Sequence, residues 1–161
     1  MSLQQYAEHR YRDYRLINIF DDRESLLRDK VIEFWDDNGV LARDEALRRS
    51  GEIVFVIMDA DDEIAGVSTA YPDSFRSPGD CYYFYRMYIA PAHRIYGMME
   101  FITARTRDYL RDTAGDRAGG VVIITENAKL MRPGIKRRLR HIGFQHASKN
   151  PTGLDIWVSE F

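Results

Sequence analysis

The chain has 161 residues, a formal net charge of −2 and a pI near 6.1. That is enough length for one domain with a real core, and the charge balance supplies no global field towards nucleic acid or a membrane surface. The single cysteine, Cys81, excludes an intramolecular disulfide; short apolar runs and a polar N-terminus (Glu8, Arg10, Arg12, Asp13) exclude a membrane span and a signal-peptide core and point to a cytoplasmic location.

Residues 1–13 read as a polar lead-in, either a short helix or disordered, and carry no assigned function. Tyr14–Phe20 reads as a first strand. Asp21 or Asp22 then caps a helix, with Glu24 three residues after Asp21 in a capping-box arrangement. Leu27, Val31, Phe34 and Trp35 recur at helical spacing, and Gly39 stops that helix. A short second helix covers about Ala42–Arg49, with Ala46 and Leu47 turned inward.

Ile53–Met58 is a continuous apolar strand, Asp59–Glu63 supplies turn chemistry, and Ile64–Tyr71 returns as the partner strand. The acidic tip reads as a solvated turn. A calcium loop would need a glycine and a bidentate glutamate at fixed offsets, and they are missing, so no metal is expected. Pro72–Asp80 is a loop long enough to lie over a pocket.

Tyr82–Ile89 reads as a buried strand with one charge, Arg86. Pro91 ends it, and a run of good helix formers then continues to about Arg111. A strand, a turn containing Gly97 and a helix start together make a candidate phosphate cradle. The first amides of a helix lack internal partners, its positive dipole end faces the ligand, and glycine permits close approach. The glycine-rich connector at 114–120 leads into Val121–Thr125, a β-branched strand buried on both faces. Glu126 and Asn127 follow at its C-terminal end, where open α/β sheets place ligand groups. A last helix starts near Arg132-Pro133 with Ile135, Leu139 and Ile142 on one face and Lys136, Arg137, Arg138 and Arg140 around the rest; Gly143 ends it. Gln145–Ala147 and Leu154–Ser159 close the chain as an antiparallel pair.

The segment Met87-Tyr88-Ile89-Ala90-Pro91, followed by Arg94, Gly97 and Met99, resembles the acyl-CoA-binding motif of the GNAT superfamily of N-acyltransferases, Arg/Gln-x-x-Gly-x-Gly/Ala after an apolar strand. Arg94 and Gly97 match the first two motif positions; Met99 departs from the third. The end of the chain resembles the family's closing "Y-x-x-x-G-F", with Leu139 in place of the tyrosine and Gly143-Phe144 matching. The resemblance covers residues 14–161 as a single domain. It implies an α/β (α+β) fold with a mixed, mostly antiparallel sheet flanked by helices, in the order β-α-α-β-β-β-α-β-α-β-β.

The resemblance further implies transfer of an acetyl group from acetyl-CoA directly to an amine. Arg94, Ile95, Tyr96, Gly97, Met98 and Met99 would hold the pyrophosphate, and the pantetheine arm would lie between the diverging ends of the strands Tyr82–Ile89 and Val121–Thr125. Met87, Tyr88, Ile89 and Asn127 would be further cofactor-binding residues. A backbone amide near Tyr88 or Ile89 would polarise the thioester carbonyl. An alkylamine must lose a proton before it attacks, and Glu126 is the first candidate base. Tyr85, Tyr88 or Tyr96, or else water, would protonate the leaving thiolate in place of the missing tyrosine. Asp36, Asp37 and Asn38, in the loop between the first two helices, would face a cationic substrate. Dimers are frequent among proteins of this resemblance, and the closing strands offer an interface. Two other readings stay open: a GNAT-fold sensor that holds CoA without turnover, and a module that uses Lys129–Arg140 on nucleic acid or an acidic partner, against which the overall charge weighs.

Overall fold

The computed structural model describes residues 8–126 and 132–161. Among these the chain forms strands β1 (Glu8–Tyr11), β2 (Tyr14–Asn18), β3 (Ile53–Met58), β4 (Ile64–Asp73), β5 (Tyr82–Ile89), β6 (Gly120–Ile124), β7 (Gln145–Lys149) and β8 (Asp155–Glu160). The helices are α1 (Leu27–Asp37), α2 (Arg43–Arg49), α3 (Met98–Ala114) and α4 (Pro133–His141). The strands form one sheet in the order β1-β2-β3-β4-β5-β6-β8-β7. The β5–β6 pair is parallel, and β1–β2, β2–β3, β3–β4, β6–β8 and β7–β8 are antiparallel. This is the mixed α/β architecture expected, with one strand more.

The extra strand corrects the reading of Glu8–Tyr11 as part of a polar lead-in. Glu8–Tyr11 pairs antiparallel with β2, Tyr11 opposite Tyr14. The connecting turn is Arg12-Asp13, with Arg12 at φ 53°. A hairpin turn that needs positive φ is normally signalled by glycine or asparagine, and this one carries neither. Alternation does the rest: His9 lies edge-on to Phe55 at 6.0 Å, and the Tyr11 ring lies 4.8 Å from Phe101.

The chain divides into two compact units, one reaching to Ala70 together with Met87–Ile102, the other comprising Tyr71–Arg86 and Thr103–Phe161. In the first, all six residues of β3 are buried, and Val31, Ile32, Phe34 and Trp35 of α1 pack with Ile53, Val56 and Met58. Each such side chain contributes about 1.5–3 kcal/mol of burial. The expected capping box at Asp21 does not form. The helix begins at Leu27, because Asp22 instead accepts the Glu24 amide at 3.3 Å and Ser25 Oγ accepts the Leu27 amide at 3.3 Å. Gly39 does end α1: at φ 63° it gives its amide to Asp36, and Val40 gives its own to Trp35. On α2, Ala46 is buried as expected, but Leu47 is 55% exposed, since a seven-residue helix turns only a narrow face inward.

In the second unit Tyr82, Val122 and Val158 form a core with Phe75, Phe84, Ile124 and Ile156 packed against it. Helix α4 ends at Gly143 (φ 100°), with Gly143 bonded to the Arg140 carbonyl and Phe144 to that of Leu139. Asp155 at the start of β8 is fully buried. Its carboxylate accepts from His146 Nε2 at 2.9 Å and lies 3.4 Å from Lys136 Nζ.

Candidate functional site

The corner at the end of β5 forms as its sequence dictates. Pro91–His93 makes a single tight turn, Gly97 takes φ 82°, and α3 starts at Met98. The Phe101 amide bonds the Gly97 carbonyl at 3.0 Å, which winds the first turn of the helix. Among the described residues the Gly97 amide has no partner in this network. A donor left over at the positive end of a helix suits an anionic oxygen.

The six loop residues divide by exposure. Met98 is fully buried and anchors the turn, Ile95, Gly97 and Met99 are half-buried, and Arg94 and Tyr96 are exposed, Tyr96 by 75%. Arg94 folds back, donating from Nε to the Ile89 carbonyl at 2.8 Å with its guanidinium 5.6 Å from the Tyr88 ring. On β5 itself Ile89 is buried and Met87 and Tyr88 half-buried. Tyr88 also packs against Phe34 at 5.9 Å.

Two tyrosines from the N-terminal hairpin complete this corner, and the sequence offered no sign of them. The Tyr11 hydroxyl donates to the Tyr96 carbonyl at 2.8 Å and occupies the space into which a Cβ on residue 97 would project. Gly97 is therefore required by its left-handed φ and by Tyr11, independently of any ligand. Tyr14 Oη shares a hydrogen bond with His93 Nδ1 at 2.8 Å, and His93 Nε2 lies 3.7 Å from Asp59 Oδ2. The other oxygen of Asp59 accepts the Asp61 and Glu63 amides at 2.8 and 3.0 Å. The acidic hairpin tip is thus a hydrogen-bonded turn. Among the described residues no group of three His, Cys, Asp or Glu side chains could hold a metal ion.

The second unit holds the remaining candidates. Tyr85 is buried, its hydroxyl 3.1 Å from Thr103 Oγ1, and burial pushes its phenol well above the ordinary range. A phenol so enclosed serves in this structure as a core hydrogen bonder. Glu126 is exposed and pairs with Arg86, Oε1 to Nε at 3.4 Å. Asn127 lies outside the described residues. Leu139, which stands where the resembled motif has a tyrosine, is buried.

Other residues weighed from the sequence are taken up locally. Asn38 donates from Nδ2 to the Phe34 carbonyl at 2.8 Å, while Asp36 and Asp37 are exposed. Asp80 accepts the amides of Phe75, Arg76 and Ser77 at 2.8, 2.9 and 3.0 Å, and these bonds, Phe75 first, hold its carboxyl below the ordinary range. On α4, Lys136 is spent on Asp155, and the Arg140 guanidinium lies 5.3 Å from the Trp157 ring centre. No helix among the described residues is long and apolar enough to cross a membrane.

No protein-family model matches the chain, and no curated protein sequence does. Solved structures do. The GNAT domain of S. lividans PAT superposes with a TM-score of 0.69 at 12% identity, over 100% of this chain and 99% of that one. A GNAT-superfamily phosphinothricin acetyltransferase from Sinorhizobium meliloti, in complex with acetyl-CoA, gives 0.66 at 14% identity, over 92% and 89%. The ribosomal-protein-S5-alanine acetyltransferase of Vibrio fischeri gives 0.61 at 13%, over 96% and 95%. With near-complete coverage in both directions, the element order and the parallel β5–β6 pair show that the chain has the same fold as these GNAT structures.

Proposed function

We propose that the protein is an acetyl-CoA-dependent N-acetyltransferase acting on a primary amine. The observation that carries this reading is the β5–Gly97–α3 corner, with its left-handed glycine and leftover amide, in a fold shared with an acetyltransferase that binds acetyl-CoA. The residues present fit a phosphate group: Gly97 offers its amide, and Arg94 offers a cation on the exposed side of the turn. Met99 is half-buried, which leaves the cradle's rim to Arg94 and Tyr96.

Acetyl-CoA, when bound, supplies a thioester whose carbonyl carbon the amine attacks, forming the N–C bond and releasing the thiol. The backbone near Tyr88 and Ile89 polarises that carbonyl. Glu126 takes the proton of the ammonium, directly or through water, because an alkylamine with a pKa of about 10.4 is mostly protonated near neutrality. Tyr88 and Tyr96 remain the candidates for protonating the thiolate; Tyr96 is the exposed one. Asn127 is a further cofactor-binding residue, a cytoplasmic location suits the reaction, and a homodimer through the closing strands belongs to the same reading.

The test is calorimetric titration with acetyl-CoA, using Arg94→Glu as the control, followed by thiol release with a panel of amines. Gly97→Glu is the wrong control, since it would displace Tyr11 as well as any phosphate. Binding lost in Arg94→Glu with amine-dependent thiol release supports the enzyme. Binding without release from any amine favours a sensor, the reading that buried Leu139 at the tyrosine position keeps alive. No binding by the folded wild type ends both.

A further inference from the structure

Arg86 is the one charge in the apolar strand Tyr82–Ile89, and the fold gives it an incomplete set of partners. Its Nε lies 3.4 Å from Glu126 Oε1. Its guanidinium carbon lies 4.9 Å from the centre of the Tyr71 ring, which is itself stacked on Phe84 at 5.5 Å and 18°. Nη1 is buried and has no hydrogen-bond partner among the described residues. Buried polar atoms in native proteins are nearly always satisfied, so a guanidinium nitrogen left without an acceptor calls for an explanation. The side chain as a whole is 27% exposed, so it is held in place without being sealed off.

We infer that the acceptor of the proposed reaction is an amine that also carries a carboxylate, with the carboxylate seated on Arg86 and the ammonium on Glu126; this rests on the acyl-transfer reading. A guanidinium presents a rigid fork of donors that matches a carboxylate, and it is pre-oriented here by two stacked rings. Glu126 is acceptor-only when ionised and 62% exposed, which suits a cation arriving from solvent. A zwitterion exchanges one ion pair for two: its carboxylate supplies the acceptor that Nη1 lacks after a small turn of the guanidinium, and its ammonium replaces Arg86 in front of Glu126. A simple amine leaves the Arg86 charge uncompensated once it takes Glu126. The site therefore selects against amines without a negative group. The rival explanation is that Arg86 only pins the end of β6 to β5; that role involves no ligand.

The test is calorimetry with the standard amino acids, β-alanine and γ-aminobutyrate, each as free acid and as carboxamide, with and without CoA. Wild type, Arg86→Gln and Arg86→Lys are compared, each checked for folding by circular dichroism. The expected result is at least one free acid bound about tenfold or more tighter than its carboxamide by wild type. Arg86→Gln erases that preference and Arg86→Lys keeps part of it, with CoA affinity unchanged within about twofold in both. If Arg86→Gln does not fold, Arg86→Lys decides alone, through a reduced preference. No preference for any free acid in wild type, or a preference that survives the loss of Arg86, overturns the inference. An Arg86-dependent preference in a protein that does not bind CoA keeps the carboxylate site and ends the acyl-transfer reading instead.

Discussion

The hydroxyl of Tyr11 and the α-carbon of Gly97 face each other so closely that residue 97 has no room for a side chain. The same hydroxyl bonds the Tyr96 carbonyl at 2.8 Å, so a strand near the start of the chain holds the turn that opens α3. Gly97→Ala is expected to lose about 1–2 kcal/mol for the left-handed φ alone, and more for the displaced tyrosine. Tyr11→Phe keeps the ring on Phe101 and loses about 1 kcal/mol, the usual net worth of one hydrogen bond. Urea denaturation of both variants checks the order; a Gly97→Ala protein as stable as wild type would contradict it.

Tyr85 gives a cleaner separation of structure from chemistry. Its phenol is buried against Thr103. Tyr85→Phe should cost about 1 kcal/mol of stability and change kcat by less than about threefold. A proton donor to the thiolate would instead show a loss of about a hundredfold or more, concentrated in kcat.

Glu126→Gln removes the proposed base and keeps the shape of the side chain. The expected outcome is kcat reduced by about a hundredfold or more, with acetyl-CoA affinity unchanged by calorimetry. Unaltered turnover would pass the proton to solvent.

Stability at low pH should report on Asp155. The His146 hydrogen bond, with Lys136, holds its carboxyl below the ordinary range against the opposing effect of burial. A carboxyl depressed in the folded state contributes stability that is fully present above its unfolded value, about 3.9, and lost as pH falls through the folded value. The melting temperature should therefore fall steeply below about pH 4, and Asp155→Asn should be less stable at neutral pH but flatter in acid. Parallel pH curves for the two proteins would refute the assignment.

Much of this molecule was legible residue by residue. Ile53–Met58 and Tyr82–Ile89 were found to the residue, since unbroken apolar runs bounded by turn chemistry leave few other readings. Gly39 and Gly143 ended their helices because each has an apolar stripe on one side and nothing helical on the other. What failed were choices among equivalent local partners. Asp22 could cap a helix or close a turn, and it closes a turn. The hairpin at Arg12-Asp13 was missed because strand pairing, not turn composition, pays for its backbone. At the site, the corner around Gly97 is local and was visible. The partners of Gly97, His93 and Arg86 lie 86, 79 and 40 positions away, in Tyr11, Tyr14 and Glu126, and no periodicity encodes such meetings.

Asp59 spans two jobs: one oxygen gathers the Asp61 and Glu63 amides, and the other faces the imidazole that Tyr14 holds just ahead of the Gly97 turn. The β3–β4 tip and the 93–97 segment thus share a fastening, and whatever quiets one quiets the other. Amide exchange at Asp61 and Glu63 should slow when a ligand settles on Gly97, although the ligand never touches them. Read in reverse, Asp59→Ala would weaken that ligand by loosening a turn it does not contact.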